Sequence, residues 1–162
     1  MDPLLAFTGG GTGGHVFPGL AVIEELSVRG YRKFLWIGSA GGVEREMVES
    51  AGILYRAIPA GKLRRYLSVK NVTDLFRVAG GFFAARAILR GEGPALLFSK
   101  GGFVSVPPVA AARSLEIPVI SHESDLDPGL ATRINARSSQ LVLTAYPETA
   151  AAIGEGALAT GN

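Results

Sequence analysis

A run of glycines near the N-terminus carries the clearest chemical signal in this sequence. Five of the six residues from position 9 to position 14 are glycine; a predicted strand, Leu4–Thr8, precedes them, and Pro18 favours a helix soon after them. A loop without side chains lets backbone N–H groups approach an oxyanion closely, and the positive N-terminal end of a helix strengthens the attraction. The pattern therefore predicts a site for a phosphate or pyrophosphate group.

Two common nucleotide-binding patterns do not account for this loop. Gly9, Gly11 and Gly14 match the G-x-G-x-x-G spacing of dinucleotide-binding proteins, which requires an acidic residue at the end of the second strand. The sequence has Gly-Ser-Ala-Gly-Gly at positions 38–42 and no carboxylate before Glu44, so the expected ribose contact is missing. A Walker loop is excluded because no Gly-Lys-Ser/Thr follows the glycines. A tight turn without a ligand is the structural alternative.

A second glycine pair occurs in a similar position later in the chain. Gly101 and Gly102 follow the fourth predicted strand and lead, through Ser105, toward another helix. Two such loops on neighbouring strands can hold a diphosphate from both sides. The second pair therefore extends the predicted anion site.

The two histidines of the chain, His15 and His122, both follow predicted strands, where ligands bind in α/β sheets. An imidazole titrates near neutral pH, so His15 is suited to take a proton from a substrate hydroxyl; the alternative is that it caps the helix after it. Glu123 is predicted either to act in catalysis or to hydrogen-bond to loop amides or to a histidine. Asp125 and Asp127 are predicted to cap the next helix.

Short, continuous apolar runs separated by helical patterns set the predicted architecture. Such runs are typical of strands buried on both faces, and their alternation with helices predicts an α/β fold with a doubly wound, mostly parallel sheet and helices on both faces. The predicted strands are Leu4–Thr8, Phe34–Ile37, Leu54–Ile58, Ala95–Phe98, Pro118–Ser121, Leu141–Thr144 and, more weakly, Ala157–Thr160. Helices are predicted from Pro18 to Gly30, over Val43–Ala51, and over parts of Val69–Arg90, Val104–Leu115 and Gly129–Arg137. Gly80-Gly81 and Pro107-Pro108 are expected to bend or bound two of these helices.

Composition narrows the classes of function. The 162 residues are about one domain's worth of chain. A net charge of +2 is too small to predict a general attraction to nucleic acid or to an anionic membrane, so any effect of basic residues must be local. There is no cysteine and there are only two histidines, which argues against disulfides and a zinc site, and we predict no bound metal. No apolar run approaches the ~20 residues that cross a bilayer, and a reducing, cytoplasmic setting is the default expectation.

The segment from Gly61 to Arg90 combines basic residues with aromatic and aliphatic ones, and Asp74 is its one acidic residue. Basic residues around an apolar surface are typical of a patch that docks on an anionic membrane. The alternative is that most of these apolar residues form the buried face of a helix. The residues predicted to meet the membrane are Lys62, Arg64, Arg65, Tyr66, Leu67, Phe82 and Phe83.

Residues 10–21, Gly-Gly-Thr-Gly-Gly-His-Val-Phe-Pro-Gly-Leu-Ala, closely resemble the opening of the MurG family. These glycosyltransferases add N-acetylglucosamine to the lipid-linked muramyl-peptide precursor of peptidoglycan. Residues 101–105, Gly-Gly-Phe-Val-Ser, and residues 117–123, Ile-Pro-Val-Ile-Ser-His-Glu, are similar to the family as well, in the same order and at the same spacing. The likeness covers essentially the whole chain.

The resemblance implies a Rossmann-like domain, residues 1–162, that forms the N-terminal, acceptor-binding half of a GT-B enzyme, with the donor-binding domain outside this chain. UDP-N-acetylglucosamine would be the donor and an undecaprenyl-diphosphate-linked muramyl peptide the acceptor, with no cofactor. The enzyme would be peripheral at the cytoplasmic face of the bacterial plasma membrane. This chain alone is expected to transfer no sugar.

Roles for single residues also follow from the resemblance. His15 matches the proposed general base, and His122 and Glu123 would support the site. The residues implied to hold the acceptor diphosphate are Gly10, Gly11, Gly101, Gly102 and Ser105. Those implied on the donor side are Thr12, Gly13, Gly14 and Asp125.

Two positions depart from the family pattern. Phe103 stands where the family often has tyrosine, so a contact through a phenol is excluded. Asp125 stands where the family commonly has an asparagine that contacts the donor; an aspartate repels phosphate but can accept hydrogen bonds from sugar hydroxyls. Two other functions therefore stay open: a related lipid glycosyltransferase with another acceptor, such as a diacylglycerol, and a non-catalytic module that binds a pyrophosphate lipid and needs a partner subunit.

Overall fold

A sheet of parallel strands forms the centre of the molecule. In the computed structural model, which describes residues 2–61 and 70–161, the sheet has seven strands in the order β3-β2-β1-β4-β5-β6-β7. Every pairing is parallel, and the seven strands predicted from the sequence are all present. Their bounds are β1 Leu4–Thr8, β2 Lys33–Ser39, β3 Leu54–Ile58, β4 Leu96–Ser99, β5 Val119–Glu123, β6 Leu141–Thr144 and β7 Ala157–Ala159.

Helices connect the strands and cover both faces of the sheet. They are α1 Phe17–Val28, α2 Glu44–Ser50, α3 Lys70–Glu92, α4 Val106–Ser114, α5 Leu130–Ala136 and α6 Pro147–Ile153, with 3-10 turns at Gly13–His15 and Phe103–Ser105. Alternate strand residues pack on opposite sides: Ala6 and Leu97 join a core with α3 and α4, whereas Phe7 and Phe98 join a core with α1 and α2. The doubly wound α/β prediction is therefore confirmed.

Trp36 anchors the core on the α1 side. It is fully buried and stacks on Phe7, with ring centroids 6.1 Å apart, and its indole N–H donates to the carbonyl oxygen of Gly9 at 3.2 Å. Gly19 of α1 lies against the ring, where a Cβ would be 2.6 Å from the indole Cη2. This glycine lets α1 approach the sheet, and Trp36 in turn links the core to the first residue of the glycine-rich loop.

Gly80-Gly81 does not bound a helix, because α3 runs through both residues. Glycine costs a helix interior about 1 kcal/mol relative to alanine. At Gly81 the absent side chain allows close packing: the position is buried, and a Cβ would meet the carbonyl of Pro59 and lie 3.3 Å from Pro107. The proline pair does bound its helix as predicted, since Pro107 and Pro108 occupy the first turn of α4, where a missing N–H is tolerated.

The position of β1 defines where a ligand can enter. β1 lies between β2 and β4, so the chain departs from it toward opposite edges of the sheet. Loops that leave the carboxyl ends of the strands diverge at such a point and open a crevice. The loops after β1, β4 and β5, which carry most of the predicted site residues, meet at this crevice.

Candidate functional site

A cavity of about 310 Å³ lies beyond the carboxyl ends of β1, β4 and β5. Both glycine loops and the start of α5 form its walls, so three separate parts of the sequence meet there. The lining residues are Gly10, Gly11, Thr12, His15, Gly102, Phe103, Val106, Glu123, Asp125, Gly129, Leu130, Ala131, Thr132 and Ile134.

The two glycine loops touch each other at Gly102. This residue has φ +77°, a conformation that favours glycine, and a Cβ there would collide with the Gly10 carbonyl and lie 3.0 Å from Cδ2 of His15. Gly11, at φ +91°, lies against the ring of Phe103, where a Cβ would be 2.5 Å from Cε1. The predicted adjacency of the two loops is confirmed, and only residues without side chains permit it.

His15 presents one ring nitrogen to the cavity and uses the other for support. Its Nδ1 lies 3.3 Å from the carbonyl oxygen of Lys100. Because a carbonyl only accepts hydrogen bonds, Nδ1 carries the proton in the neutral ring and Nε2 keeps its lone pair. The alternative that His15 caps α1 is wrong, since the cap residue is Val16 and no side chain makes a capping bond.

Glu123 holds the loop between β5 and α5. It is 4% exposed and accepts hydrogen bonds from the amides of Asp125 at 3.0 Å and Gly129 at 3.2 Å and from the hydroxyl of Thr132. The predicted bonding to loop amides is confirmed. Gly129 is the cap residue of α5 and no side chain caps that helix, so the capping prediction for Asp125 and Asp127 is wrong. Asp125 is exposed and faces the cavity instead.

The other predicted site residues are distributed around the cavity. Gly13 and Gly14 form the 3-10 turn that carries His15, and Gly101 lies behind the His15 ring, where a Cβ would be 3.8 Å from Nδ1. Ser105 is fully buried, donates its hydroxyl to the Gly102 carbonyl at 2.8 Å and accepts the amide of Asn135 at 2.8 Å. We therefore reassign Ser105 from a diphosphate contact to a support of the turn, because its hydroxyl is used beneath the loop.

Glu44, the first carboxylate after the second strand, points into the protein and not toward a ribose site. Glu44 is fully buried, and its Oε2 accepts the N–H of Gly11 at 3.3 Å. A carboxylate bound to the loop's own backbone does not meet a ribose, which strengthens the exclusion of an NAD-type site. No role was predicted for Glu44; the glycine pair Gly41-Gly42 shortly before it was the available signal.

His122 does not join His15 at the cavity. It lines a groove of about 750 Å³ beside α1, with Phe98 and Lys100, and its Nε2 contacts the carbonyl of Gly161 at 3.2 Å. Lys100 is 3% exposed, and neither its Nζ nor His122 Nδ1 has a hydrogen-bond partner among residues 2–61 and 74–161. Burial lowers the pKa of Lys100; burial, and then the charge of Lys100, lowers the pKa of His122.

Replacing Lys100 by methionine is expected to raise the pKa of His122. The change removes one of the two causes that lower this pKa and keeps a side chain of similar length in the groove. An NMR titration of the imidazole Cε1–H resonances measures the shift. Arg29→Met, at another cation that lines the groove, is the matched control, and an unchanged or lower pKa in Lys100→Met would contradict the assigned cause.

The predicted membrane residues fall into two groups. Lys62, Arg64, Arg65, Tyr66 and Leu67 lie outside the described residues. Phe82 is half-buried and packs against the core with α4, so its prediction as a membrane contact is wrong; Phe83 is 69% exposed on α3. The described helices include none that is long and apolar enough to span a bilayer.

Carboxylates and imidazoles do not cluster in a way that suits a metal. Across residues 2–61 and 70–161, no three acidic or histidine side chains come together as a potential ion site. The ionisable side chains that line the cavity are one imidazole, His15, and two carboxylates, Glu123 and Asp125.

Comparison with known proteins identifies the family to which this fold is similar. The model of the glycosyltransferase family 28 N-terminal domain matches residues 5–144. Over 145 residues, the chain is 56% identical to UDP-N-acetylglucosamine–N-acetylmuramyl-(pentapeptide) pyrophosphoryl-undecaprenol N-acetylglucosamine transferase of Treponema pallidum (strain Nichols), covering 90% of this chain and 38% of the relative. The equivalent transferase of Treponema denticola is 53% identical over 171 residues, covering 98% of this chain and 44% of the relative.

A solved structure supports the same comparison. MurG of Acinetobacter baumannii superposes with a TM-score of 0.81 at 28% identity, covering 98% of this chain and 45% of that one. The chain thus spans less than half the length of the relatives named here.

Proposed function

We propose a function that proceeds from one premise: this chain belongs to glycosyltransferase family 28, whose N-terminal domain it matches over residues 5–144. In the proposal, residues 1–162 form the acceptor-binding domain of an inverting N-acetylglucosaminyltransferase. The donor is UDP-N-acetylglucosamine and the acceptor is a muramyl peptide linked to undecaprenyl diphosphate, the substrates contained in the relatives' names. Most donor contacts would come from a second domain outside this chain.

One observation carries the proposal: the cavity brings both glycine loops and the imidazole of His15 to the same crevice. Gly10 and Gly102 line it beside His15, whose Nδ1–H is bound to the Lys100 carbonyl. The N–H groups of Gly10 and Gly102 would hold the acceptor diphosphate, placing the muramyl hydroxyl near Nε2 of His15. Gly11 and Gly101 would not donate to it, because their N–H groups are bound to Glu44 and Ser99. No metal and no cofactor takes part in this scheme.

The proposed transfer is a single displacement. His15 Nε2 accepts the proton of the muramyl hydroxyl while the hydroxyl oxygen bonds to the anomeric carbon of N-acetylglucosamine. The bond from that carbon to the UDP oxygen breaks, its electron pair leaves with UDP, and the configuration inverts. Thr12, Gly13, Gly14 and Asp125 would face the donor, with Asp125 accepting hydrogen bonds from sugar hydroxyls.

The proposal includes a peripheral site on an anionic membrane, at the cytoplasmic face of the plasma membrane. Among the large apolar side chains of α3 that are described, from position 74 on, Leu75 is 61% exposed, Phe76 74% and Phe83 69%. Arg77 and Arg90 are exposed on the same helix. Apolar insertion combined with attraction to anionic headgroups is the usual basis of such docking. Leu75 and Phe76 were not predicted, whereas Phe83 was.

The double change Phe76→Ser and Phe83→Ser is expected to reduce sedimentation with anionic liposomes several-fold, because each exposed ring contributes apolar area to the inserted surface. Co-sedimentation with vesicles of mixed phosphatidylglycerol and phosphatidylcholine measures it. Tyr146→Ser removes an exposed aromatic ring elsewhere and is the matched control. Equal loss in both variants would remove α3 from the membrane site.

Substrate choice is tested by transfer of radiolabelled N-acetylglucosamine, using an enzyme that joins this domain to its donor-binding domain. The proposal expects transfer to a muramyl-peptide lipid and none to a diacylglycerol. Transfer to the diacylglycerol alone would support the related lipid glycosyltransferase. Turnover by residues 1–162 without a second domain would contradict the division of labour proposed here.

A further inference from the structure

Glu44 is buried between the first glycine loop and the end of β2, and its hydrogen bonds support the wall of the cavity. Its Oε1 accepts the amide of Ser39 at 2.9 Å and the hydroxyl of Ser39 at 2.6 Å, and its Oε2 accepts the amide of Gly11 at 3.3 Å. The residue is 0% exposed. One carboxylate thus ties together three elements: the loop after β1, the end of β2 and the first turn of α2.

The surrounding glycines leave the space that the carboxylate occupies. A Cβ on Gly10 would be 2.6 Å from Cδ of Glu44, and a Cβ on Gly42 would collide with the same group. Tyr55 holds Ser39 from the other side by donating its phenol to the Ser39 carbonyl at 2.7 Å. Gly42 of the 38–42 cluster therefore has a structural reason, since it leaves room for a buried acid, whereas Gly38 leaves room for the Tyr55 phenol.

The charge of Glu44 is balanced by dipoles and not by a cation. Among the side chains of residues 2–61 and 74–161, no lysine or arginine nitrogen lies within 4.0 Å of this carboxylate. Two N–H groups and one O–H group point at its oxygens, and hydrogen bonds of this kind to a charged acceptor are stronger than neutral ones. A carboxylate suits three converging donors, whereas a carboxamide can accept at only one of its two ends.

The link from Glu44 reaches the cavity through Gly11. With its N–H held by Oε2, Gly11 keeps the left-handed conformation in which it lies beneath the Phe103 ring. Gly11 and Phe103 both line the cavity. An unbound Gly11 N–H would allow the loop to turn, and the amides that face the anion would lose their fixed direction.

We infer that Glu44 is a positioning residue for the acceptor diphosphate: by holding Gly11 from behind, it fixes the first glycine loop in its anion-binding form. It touches neither substrate nor reacting atoms. The inference rests on the proposed function, since it assigns a support to the diphosphate site of that proposal. It also gives the acidic group near the glycine loop a role different from the ribose contact of dinucleotide-binding proteins.

Glu44→Gln keeps the size of the side chain and is expected to weaken binding of inorganic pyrophosphate by about tenfold, the effect of losing one hydrogen bond to a charged group. Isothermal titration calorimetry on residues 1–162 measures the affinity. Glu46→Gln, on the exposed side of the same helix, is the matched control and should bind as the unchanged chain does.

A second readout separates positioning from general loss of structure. Hydrogen exchange followed by NMR should accelerate at the Gly11 and Ser39 amides in Glu44→Gln, while the amides of β4 and β5 keep their protection. In the complete enzyme, the KM for the lipid acceptor should rise and the KM for the donor should stay constant. If Glu44→Gln does not fold, Ser39→Ala removes one donor to the carboxylate and should weaken pyrophosphate binding about threefold.

The outcomes distinguish the inference from the proposed function. Unchanged pyrophosphate affinity in Glu44→Gln, or an equal loss in Glu46→Gln, would overturn the role of Glu44 while leaving the anion site intact. A wild-type chain that binds no pyrophosphate would overturn the proposed function itself. A rise in the donor KM alone would also contradict the inference, because Gly11 would then serve the donor and not the acceptor.

Discussion

Replacing His15 by alanine is expected to slow sugar transfer by about 10²- to 10⁴-fold in an enzyme that carries this domain together with its donor-binding domain, the usual range for loss of a general base. The reason is geometric. The Nδ1 of His15 is bound to the Lys100 carbonyl, so Nε2 is the nitrogen left to accept the hydroxyl proton. Steady-state rates with saturating donor and acceptor measure the effect.

The His15→Ala variant should keep its substrates, because the ring does not carry the anion contacts. Pyrophosphate affinity close to that of the unchanged chain is therefore the first control. Added imidazole should restore part of the lost rate by entering the space that the ring leaves. A near-normal rate without imidazole would remove His15 from the role of base, and a parallel loss of affinity would indicate that the ring holds the loop.

Replacing Gly102 by alanine is expected to lower turnover by about 10²-fold or more, since small displacements of reacting groups have effects of that size. A methyl group there would meet the Gly10 carbonyl and lie 3.0 Å from His15 Cδ2, pushing the two loops apart and moving the imidazole. The φ of +77° adds strain of about 1 to 3 kcal/mol. Turnover and pyrophosphate affinity should fall together.

Gly93→Ala provides a control that separates strain from contact. Gly93 also has a left-handed φ, +61°, but a Cβ there would meet no atom within 4 Å. Its substitution should lower the melting temperature without changing turnover. If Gly93→Ala and Gly102→Ala reduced turnover equally, the loss at Gly102 would come from lowered stability and not from the junction of the loops.

Much of the fold could be predicted because each strand is marked by a run of apolar residues within its own stretch of sequence. β1, β3 and β6 have the bounds predicted from short, largely apolar runs, and such runs need no distant partner to be recognised. The helix through Gly80-Gly81 was not predictable in this way. Gly81 is accepted because the Pro59 carbonyl and Pro107 come close to it, and those residues are remote in sequence. The short helix α6 was missed; its alanines give little amphipathic pattern.

The candidate site, too, has features that could be predicted from local sequence and features that could not. Glycine loops after strands and a histidine beside them are local signals, and the structure brings Gly10, Gly102 and His15 to one cavity. The orientation of side chains is not local. Ser105 lies beneath its loop because Asn135 of α5 reaches it, and His122 faces α1 because it lies inside a strand, where alternate residues point to opposite faces.

The hydrogen bond between Trp36 and Gly9 has a spectroscopic consequence. Trp36 is the only tryptophan in the sequence, and its indole N–H is bonded to the first residue of the glycine-rich loop. Ultraviolet excitation near the red edge of protein absorbance therefore addresses a single chromophore coupled to that loop. Movement of Gly9 when an anion binds would alter the surroundings of the indole and shift the wavelength and lifetime of its fluorescence. Trp36 therefore provides an intrinsic, label-free fluorescence signal for anion binding.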